Sequence, residues 1–233
     1  MSTGKLYLIP SPISEEIKTI PQQVIDIVNS LETFIVEDEK TARHFLKKIG
    51  IKVPINTLQF HLLNEHTKAD EIAALLTPLK KGYSVGIISD AGCPAIADPG
   101  AELIKLAHKE NIEVIPLAGP SSVLLALMAS GLNGQSFCFA GYLPKERSER
   151  IKKLRKLEHA AMVKNQTQIF IEAPYRNHHV LEDALNTCDN NTMLCIACDI
   201  SSKEEFIRTM TIREWKKNIP HIEKKPTVFL IGK

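Results

Sequence analysis

Short apolar runs rich in β-branched residues alternate with amphipathic helical patterns along the first half of this 233-residue chain. Strands that alternate with helices at this spacing pair in parallel through right-handed crossovers. We therefore predict an α/β fold that begins with a domain built on a mostly parallel sheet. Its strands are expected at Leu6–Pro10, Thr33–Val36, Asn56–His61, Tyr83–Ile88 and Glu113–Leu117.

The segments between these runs place apolar residues at helical spacing. Gly50 closes one of these patterns and is a candidate for the glycine that follows a helix in the left-handed conformation. We predict helices at Val24–Leu31, Thr41–Ile49, Lys68–Lys80 and Ala101–Lys109.

The second half has a looser pattern, which favours a mixed α+β sheet. Helices are expected at Val123–Ser130, Lys145–His159 and Ile212–Asn218. The last three of the predicted strands suit an antiparallel meander. These strands are Gln135–Ala140, Thr167–Ile171, Thr192–Ile200, Phe206–Thr211 and Thr227–Ile231. The change of pattern predicts two domains, residues 1–117 and 118–233.

The segment Ser89–Leu103 links a strand to a helix through far more residues than such loops usually need. Two prolines stiffen it, and its glycines let backbone N–H groups approach a bound molecule closely. Long loops at the carboxyl ends of parallel strands are where open α/β sheets hold ligands. The loop is therefore either a ligand site or an ordinary connection with two turns.

Bulk properties exclude several classes. The net charge of +2 does not indicate a nucleic-acid binder as a whole, so any basic surface must be local. No apolar run is long enough for a membrane span. The glycine loops match neither a P-loop nor a dinucleotide-binding fingerprint, and no metal site is predicted.

Cysteine usage indicates a reducing, cytoplasmic location, because five cysteines are scattered without a disulfide framework. Cys195 and Cys198 lie three apart in a predicted strand, so they point to opposite faces and are expected to be small buried hydrophobes. Lys145–His159 is rich in Lys, Arg and His. It is either a solvated helix face or a nucleic-acid contact.

Five separated segments then fall in one order that resembles the tetrapyrrole methylase superfamily. Within it, the chain is most similar to the branch that methylates the ribose 2′-hydroxyl of small-subunit ribosomal RNA. The segments are Leu6–Pro12, Val36–Asp38, Ser89–Gly100, Ala118–Ser122 with Phe139–Pro144, and Ile169–Arg176.

This resemblance implies a two-domain tetrapyrrole-methylase-like fold with S-adenosylmethionine in the cleft between the domains, and a homodimer. It implies a methyltransferase that takes part in ribosomal RNA processing, with structured RNA as its partner. The implied cofactor-binding residues are Pro10, Ala91, Gly92, Cys93, Ile96, Ser121, Ser122, Glu172, Ala173, Pro226 and Thr227.

A ribose hydroxyl must lose its proton during methylation, so carboxylates, lysines and histidines near the strand ends are catalytic candidates. We name Asp38, Lys40, Glu65 and Asp90 as candidates for this role, and His61 is a further candidate.

The acceptor-side segments depart from the family pattern, as in Glu37-Asp-Glu-Lys40 where the branch has Glu-Asp-Thr-Arg. Two alternatives therefore stay open, a methylase of a small tetrapyrrole-like molecule and a cofactor-binding protein without turnover.

Overall fold

The computed structural model describes residues 3–233, so the first two residues of the predicted first domain lie outside the described part of the chain. The chain divides into two compact units, one that ends at Ser121 and one from Ser122 to Lys233. The predicted boundary, between residues 117 and 118, lies four residues before this division.

The first unit is built on a five-stranded parallel sheet with the order β3-β2-β4-β1-β5. All five predicted strands are present, and the prediction of an α/β fold with a parallel first sheet is confirmed. The strands are β1 (Leu6–Ile9), β2 (Thr33–Val36), β3 (Gln59–Leu62), β4 (Val85–Ile88) and β5 (Val114–Pro116).

Helices cover both faces of this sheet. The helices are α1 (Gln22–Val28), α2 (Glu39–Lys48), α3 (Ala69–Ala74), α4 (Thr77–Lys80) and α5 (Gly100–Lys109). The first two bury their apolar residues with Phe34, Val36 and Ile88 on one face. The other three pack with Leu6, Ile35 and Ile87 on the opposite face. Alternate residues of β1, β2 and β4 therefore enter different cores, as the strand repeat requires.

Two details of the predicted helices have physical explanations. Gly50 has φ +74° just after α2, and the N–H of Ile51 bonds back to the carbonyl of Leu46, so the predicted helix-ending glycine is confirmed. The single helix predicted over Lys68–Lys80 is wrong. It is split into α3 and α4, because Pro78 has no N–H to continue a helix and fits only in the first turn of a new one.

The second unit contains a mixed sheet with the order β6-β7-β10-β8-β9. Only β6 and β7 run parallel; the other neighbours are antiparallel. The predicted meander of the last three strands is wrong, because β10 pairs with β7 and β8 rather than with β9. The strands are β6 (Phe137–Tyr142), β7 (Thr167–Ile171), β8 (Met193–Cys198), β9 (Phe206–Thr211) and β10 (Thr227–Gly232).

The helices of this unit are α6 (Ser122–Ser130), α7 (Arg147–Lys164), α8 (Asn177–Thr187) and α9 (Ile212–Trp215). Helices α7, α8 and α9 pack on a sheet face where Phe170 and Phe229 stack at 5.4 Å. Cys198 enters this core, whereas Cys195 is buried without joining it; both thiols are free, as predicted for strand residues three apart.

Candidate functional site

The connections of the first sheet reverse direction between β1 and β4. From β1 the chain moves to β2 and β3 over the face covered by α1 and α2, and it then returns to β4 and β5 over the face covered by α3 to α5. The loops that follow β1 and β4 therefore leave the sheet toward opposite faces. This is the point at which open α/β sheets form a ligand crevice.

Three loops meet at this point. Ser11 and Gly92 exchange two backbone hydrogen bonds, at 2.9 and 3.1 Å, and so join the loops after β1 and β4. The thiol of Cys93 donates to the carbonyl of Pro120, in the loop after β5, at 3.4 Å. The predicted cofactor residues Pro10, Gly92 and Cys93 are thereby brought together.

Two glycines allow this close approach. A Cβ at Gly119 would lie 2.3 Å from ring carbons of Pro10, a separation that real side chains do not reach. Gly92 has φ +79°, a conformation that other residues adopt only with strain. At Gly119 the backbone therefore packs directly against the Pro10 ring, and at Gly92 it takes the turn in which its N–H and its carbonyl both bond to Ser11.

The loop between β4 and α5 is held in an unusual conformation by one carboxylate. Ala95 and Ala97 have φ of 64° and 62°, which costs about 1 to 2 kcal/mol for a residue with a Cβ. Asp98 Oδ1 accepts hydrogen bonds from the N–H groups of Ala95 at 2.7 Å and Gly100 at 2.8 Å. Ile96, at the tip of this loop, is 50% exposed.

Carboxylates gather beside the loop where β2 and β4 end. Burial, with the charges of Asp98 and Asp90, raises the pKa of Glu37 to about 7 against an opposing hydrogen bond from the backbone of Asp90. Burial, with the charges of Asp38 and Asp98, also raises the pKa of Asp90. The described residues thus place negative charge at the mouth of the crevice.

The four predicted catalytic residues occupy different places. Asp38 caps α2, and its Oδ1 accepts from Thr41 N and Thr41 Oγ1, both at 2.7 Å, which lowers its pKa. Lys40 is exposed in the first turn of the same helix. Asp90 follows β4 and is bonded to the backbone of Asp38. Glu65 lies apart, in the turn after the edge strand β3, with its side chain 85% exposed beside His66.

The second unit has its own cluster of predicted site residues. Glu172 directly follows β7, and Thr227 begins the neighbouring strand β10, where Val228 pairs with Ile171. Oε1 of Glu172 accepts from the N–H of Ala173 at 2.8 Å and from the guanidinium of Arg176. Pro226 precedes β10, and its carbonyl accepts from the N–H of Asp199 at 2.9 Å.

Several polar atoms at these two places are buried without a hydrogen-bond partner in the described part of the chain. They are Ser11 Oγ in the first unit, and Glu172 Oε2, Arg176 Nε and Asn177 Oδ1 in the second. His61 Nε2 is a fifth, at the edge strand of the first sheet. A buried polar atom without a partner costs about 1 to 3 kcal/mol, so such atoms mark places where a ligand can bind.

Three functional candidates in these clusters were not predicted as site residues. Ser11 follows a strand and precedes a proline, a position that favours a turn at a strand end. Glu37 was visible as an acidic residue directly after a buried strand. Asn177 carries no sequence signal, because its donation to the Lys225 carbonyl at 2.6 Å joins residues distant in the chain.

Three further features of residues 3–233 concern a metal site, a membrane span and the thiol of Cys93. No cluster of three or more His, Cys, Asp or Glu side chains there is arranged to hold a metal ion. None of the helices in that range combines the length and apolar character required to cross a bilayer. Burial raises the pKa of Cys93, so this thiol is protonated at neutral pH.

Comparison with known proteins agrees with this fold. Two solved structures superpose on nearly the whole chain: the methyltransferase CobJ and the cobalt precorrin-4 methyltransferase CbiF. For CobJ the TM-score is 0.67 at 19% identity, over 99% of this chain and 95% of that one. For CbiF the TM-score is 0.61 at 15% identity, over 98% and 94%. At these identities the likeness establishes the fold.

Relatives found by sequence similarity share a larger fraction of identical residues with this chain than the two solved structures do. The ribosomal RNA small subunit methyltransferase I of Haemophilus influenzae is 31% identical over 232 residues, which are 98% of this chain and 78% of that protein. The protein of the same name from Vibrio cholerae is 34% identical over 209 residues, or 90% of this chain and 69% of that one. The family model of the tetrapyrrole (corrin/porphyrin) methylases matches residues 5–216. The chain therefore belongs to the tetrapyrrole methylases, a family of methyltransferases, as its five ordered segments predict.

Proposed function

We propose that this protein is an S-adenosylmethionine-dependent methyltransferase that methylates a ribose 2′-hydroxyl of small-subunit ribosomal RNA in the cytoplasm. The names of the sequence relatives support the RNA substrate. The observation that carries the proposal is the crevice between β1 and β4, where the hydrogen bonds of Gly92 with Ser11 and of Cys93 with Pro120 bring three loops together.

The residues of this crevice fit the cofactor. Gly119 is exposed and has no side chain, so its backbone can approach the carboxylate of the methionine moiety without burying an opposing charge, whereas the N–H of Gly92 already bonds to the Ser11 carbonyl. The buried hydroxyl of Ser11 offers a further donor and acceptor. Ala91 and Ile96 are exposed and add apolar surface of the kind that ligand pockets use, while Pro10 is buried against Gly119 and shapes the loop after β1.

The charge at the crevice suits a sulfonium. The carboxylates of Asp38, Asp90 and Asp98 give the opening a negative potential, which attracts a cationic ligand. S-Adenosylmethionine supplies an activated methyl group on a positively charged sulfur. The protein then has to orient the acceptor in line with that methyl group, exclude water and take up one proton.

Asp90 is the residue we assign to that proton. Its raised pKa makes it a stronger base than an ordinary carboxylate, and its exposed position leaves it open to a large substrate. As the ribose oxygen forms its bond to the methyl carbon and the carbon–sulfur bond breaks, the hydroxyl proton passes to the Asp90 carboxylate. Asp38 is engaged as a helix cap, and Glu65 lies away from the crevice, so neither is assigned this role.

The second unit offers groups that suit an adenosine. Glu172 Oε2 and Asn177 Oδ1 are buried acceptors without donors, and an adenine amino group or a ribose hydroxyl can supply those donors. The roles of Ala173, Pro226 and Thr227 stay predictions, as do those of Ser121 and Ser122. We also keep the homodimer as a proposal, which sedimentation equilibrium tests.

Label transfer tests the proposed function. The protein is incubated with methyl-labelled S-adenosylmethionine and either small-subunit particles from a strain without this protein or a porphyrinoid. Label in the particles' RNA supports the proposal. Label only in the porphyrinoid, or cofactor binding in calorimetry without transfer to either acceptor, would support the alternatives instead.

A further inference from the structure

Helix α7 is far more basic than the rest of the chain. It carries seven Lys and Arg residues against two Glu, so its net charge exceeds that of the whole chain, which is +2. Its first turns are largely compensated, since Arg147 and Arg150 share Asp183 and Lys152 pairs with Glu149. Most of the surplus of positive charge therefore lies in the middle and at the end of the helix.

Arg155, Lys156 and His159 occupy this middle part on one side of the helix, and all three are exposed. Within residues 3–233, neither Arg155 nor Lys156 forms an ion pair with a carboxylate. Glu158 lies on the same helix, but its Oε1 accepts from Asp189 N at 2.7 Å and from Thr192 Oγ1, which holds this oxygen toward the Asp189–Thr192 turn. These cations are consequently available to an external anion.

The basic surface continues beyond the helix. Arg213 donates to Asn191 Oδ1 at 3.5 Å, and Lys216 donates to Asn190 Oδ1 at 2.8 Å. Amide oxygens are neutral, so these contacts position the two cations without cancelling their charge. The turn that carries Asn190 and Asn191 thus links the cations at α9 to those on α7.

A cavity of about 510 Å³ lies at this junction. Arg155, His159 and Lys233 line it together with the thioether of Met162 and the amide of Asn191; Glu158 and Asp189 are its acidic members. Its size is that of pockets that hold small ligands. It combines cations for a phosphate, neutral polar groups for sugar hydroxyls and an apolar surface.

We propose that this α7 surface, defined as Arg155, Lys156, Arg213, Lys216 and the cavity beside them, binds the phosphate backbone of the RNA substrate. The inference rests on the proposed function, since it names the part of the chain that docks the RNA acceptor. Phosphate contacts fix the position and orientation of a nucleic acid without reading its sequence. The surface therefore supplies affinity, and the selection of the nucleotide takes place elsewhere.

The test removes four charges from the full-length protein in the variant Arg155→Gln/Lys156→Gln/Arg213→Gln/Lys216→Gln. Glutamine keeps helix propensity, and all four side chains are exposed, so the fold is expected to persist, which thermal unfolding checks. The matched control is Lys80→Gln/Lys81→Gln/Lys105→Gln/Lys109→Gln, which removes the same charge from exposed positions at the end of α4 and along α5.

Binding of a labelled full-length small-subunit ribosomal RNA transcript is measured from low to high salt. Each lost phosphate contact flattens the plot of log affinity against log salt by about 0.7 to 0.9. We expect the α7-surface variant to flatten this slope by about 3, to bind on the order of tenfold or more weakly, and to raise KM for RNA with kcat retained. The control is expected to keep the wild-type slope within about 1.

Two further measurements separate this inference from the proposed function. Methyl transfer by the wild type together with an unchanged slope in the α7-surface variant would overturn the inference and leave the function standing. Absence of methyl transfer by the wild type would overturn the function. Wild-type binding to phosphatidylserine vesicles but not to RNA, lost in the same variant, would overturn RNA as the partner.

Discussion

Ser11 and Gly92 bridge the loops after β1 and β4 through two backbone hydrogen bonds, of 2.9 and 3.1 Å. These loops follow neighbouring strands whose connections leave toward opposite faces of the sheet, so this bridge lies where the crevice opens. The carbonyl of Pro120 adds the third loop through Cys93. Two hydrogen bonds and one thiol contact thus connect all three loops at the crevice.

The contact between Gly119 and Pro10 predicts a steric effect. In Gly119→Ala the new Cβ would lie 2.3 Å from the proline ring, so the loop after β5 has to move away. We expect a loss of about 1 to 3 kcal/mol in the free energy of unfolding and at least about tenfold weaker binding of S-adenosylmethionine. Calorimetry and thermal unfolding measure both. Gly134→Ala is the control and should behave as wild type, because a Cβ at Gly134 would have nothing within 4 Å.

The carboxylate of Asp98 is predicted to hold the loop conformation. Asp98→Ala leaves the N–H groups of Ala95 and Gly100 without their acceptor, and we expect it to cost about 1 to 3 kcal/mol of stability and to weaken cofactor binding. Asp98→Asn retains an oxygen acceptor and should recover most of the binding. Equal loss in both variants would show that charge, and not the hydrogen bonds, is what matters.

The raised pKa of Glu37 predicts a pH dependence of stability. Between its usual value of 4.5 and about 7, the folded protein binds a proton that the unfolded chain has released, so stability falls as pH rises through this window. Because Glu37 is only half-buried, we expect a decrease of about 1 kcal/mol.

Denaturant unfolding at pH 5 and pH 8 checks this effect. Glu37→Gln should lose less stability across that range than the wild type does. The control is Glu32→Gln, at the exposed residue before the same strand, which should follow the wild-type profile. Identical profiles for Glu37→Gln and wild type would contradict the assignment.

The assignment of the proton to Asp90 predicts a separation of kinetic constants. Asp90→Asn should lower kcat by a factor on the order of 10² to 10⁴ and leave the dissociation constant of S-adenosylmethionine nearly unchanged. Asp38→Asn should keep most of the activity, because asparagine caps a helix as well as aspartate does. Single-turnover rates with saturating RNA make the comparison. A greater loss in Asp38→Asn than in Asp90→Asn would reverse the two roles.

Local sequence patterns predicted most of the strands and helices of the first unit. Its strands are apolar runs whose alternate residues, such as Phe34 and Ile35, enter two different cores, and such runs are visible in any single sequence. The break between α3 and α4 was missed, although Pro78 is a residue from which it could have been predicted. Helix α8 of the second unit was not predicted, although Val180, Leu181, Ala184 and Leu185 repeat at helical spacing.

Relationships between distant residues were not predictable from such patterns. The position of β10 between β7 and β8 depends on strand pairing, which no local property of Thr227–Gly232 specifies. The bridge from Ser11 to Gly92 and the link from Asn177 to Lys225 join residues far apart in the chain. The family resemblance indicated which loops to consider, but the burial and the neighbouring charges that together raise the pKa of Glu37 are visible only in the folded chain.

Alkaline hydrolysis of the labelled RNA shows whether this protein transfers a methyl group to a ribose hydroxyl of small-subunit ribosomal RNA. Alkali cleaves RNA through the free 2′-hydroxyl, so a 2′-O-methylated nucleotide remains joined to its neighbour. We expect label in an alkali-resistant dinucleotide from RNA treated with this protein. Label in mononucleotides, or no label in the RNA, would refute ribose methylation.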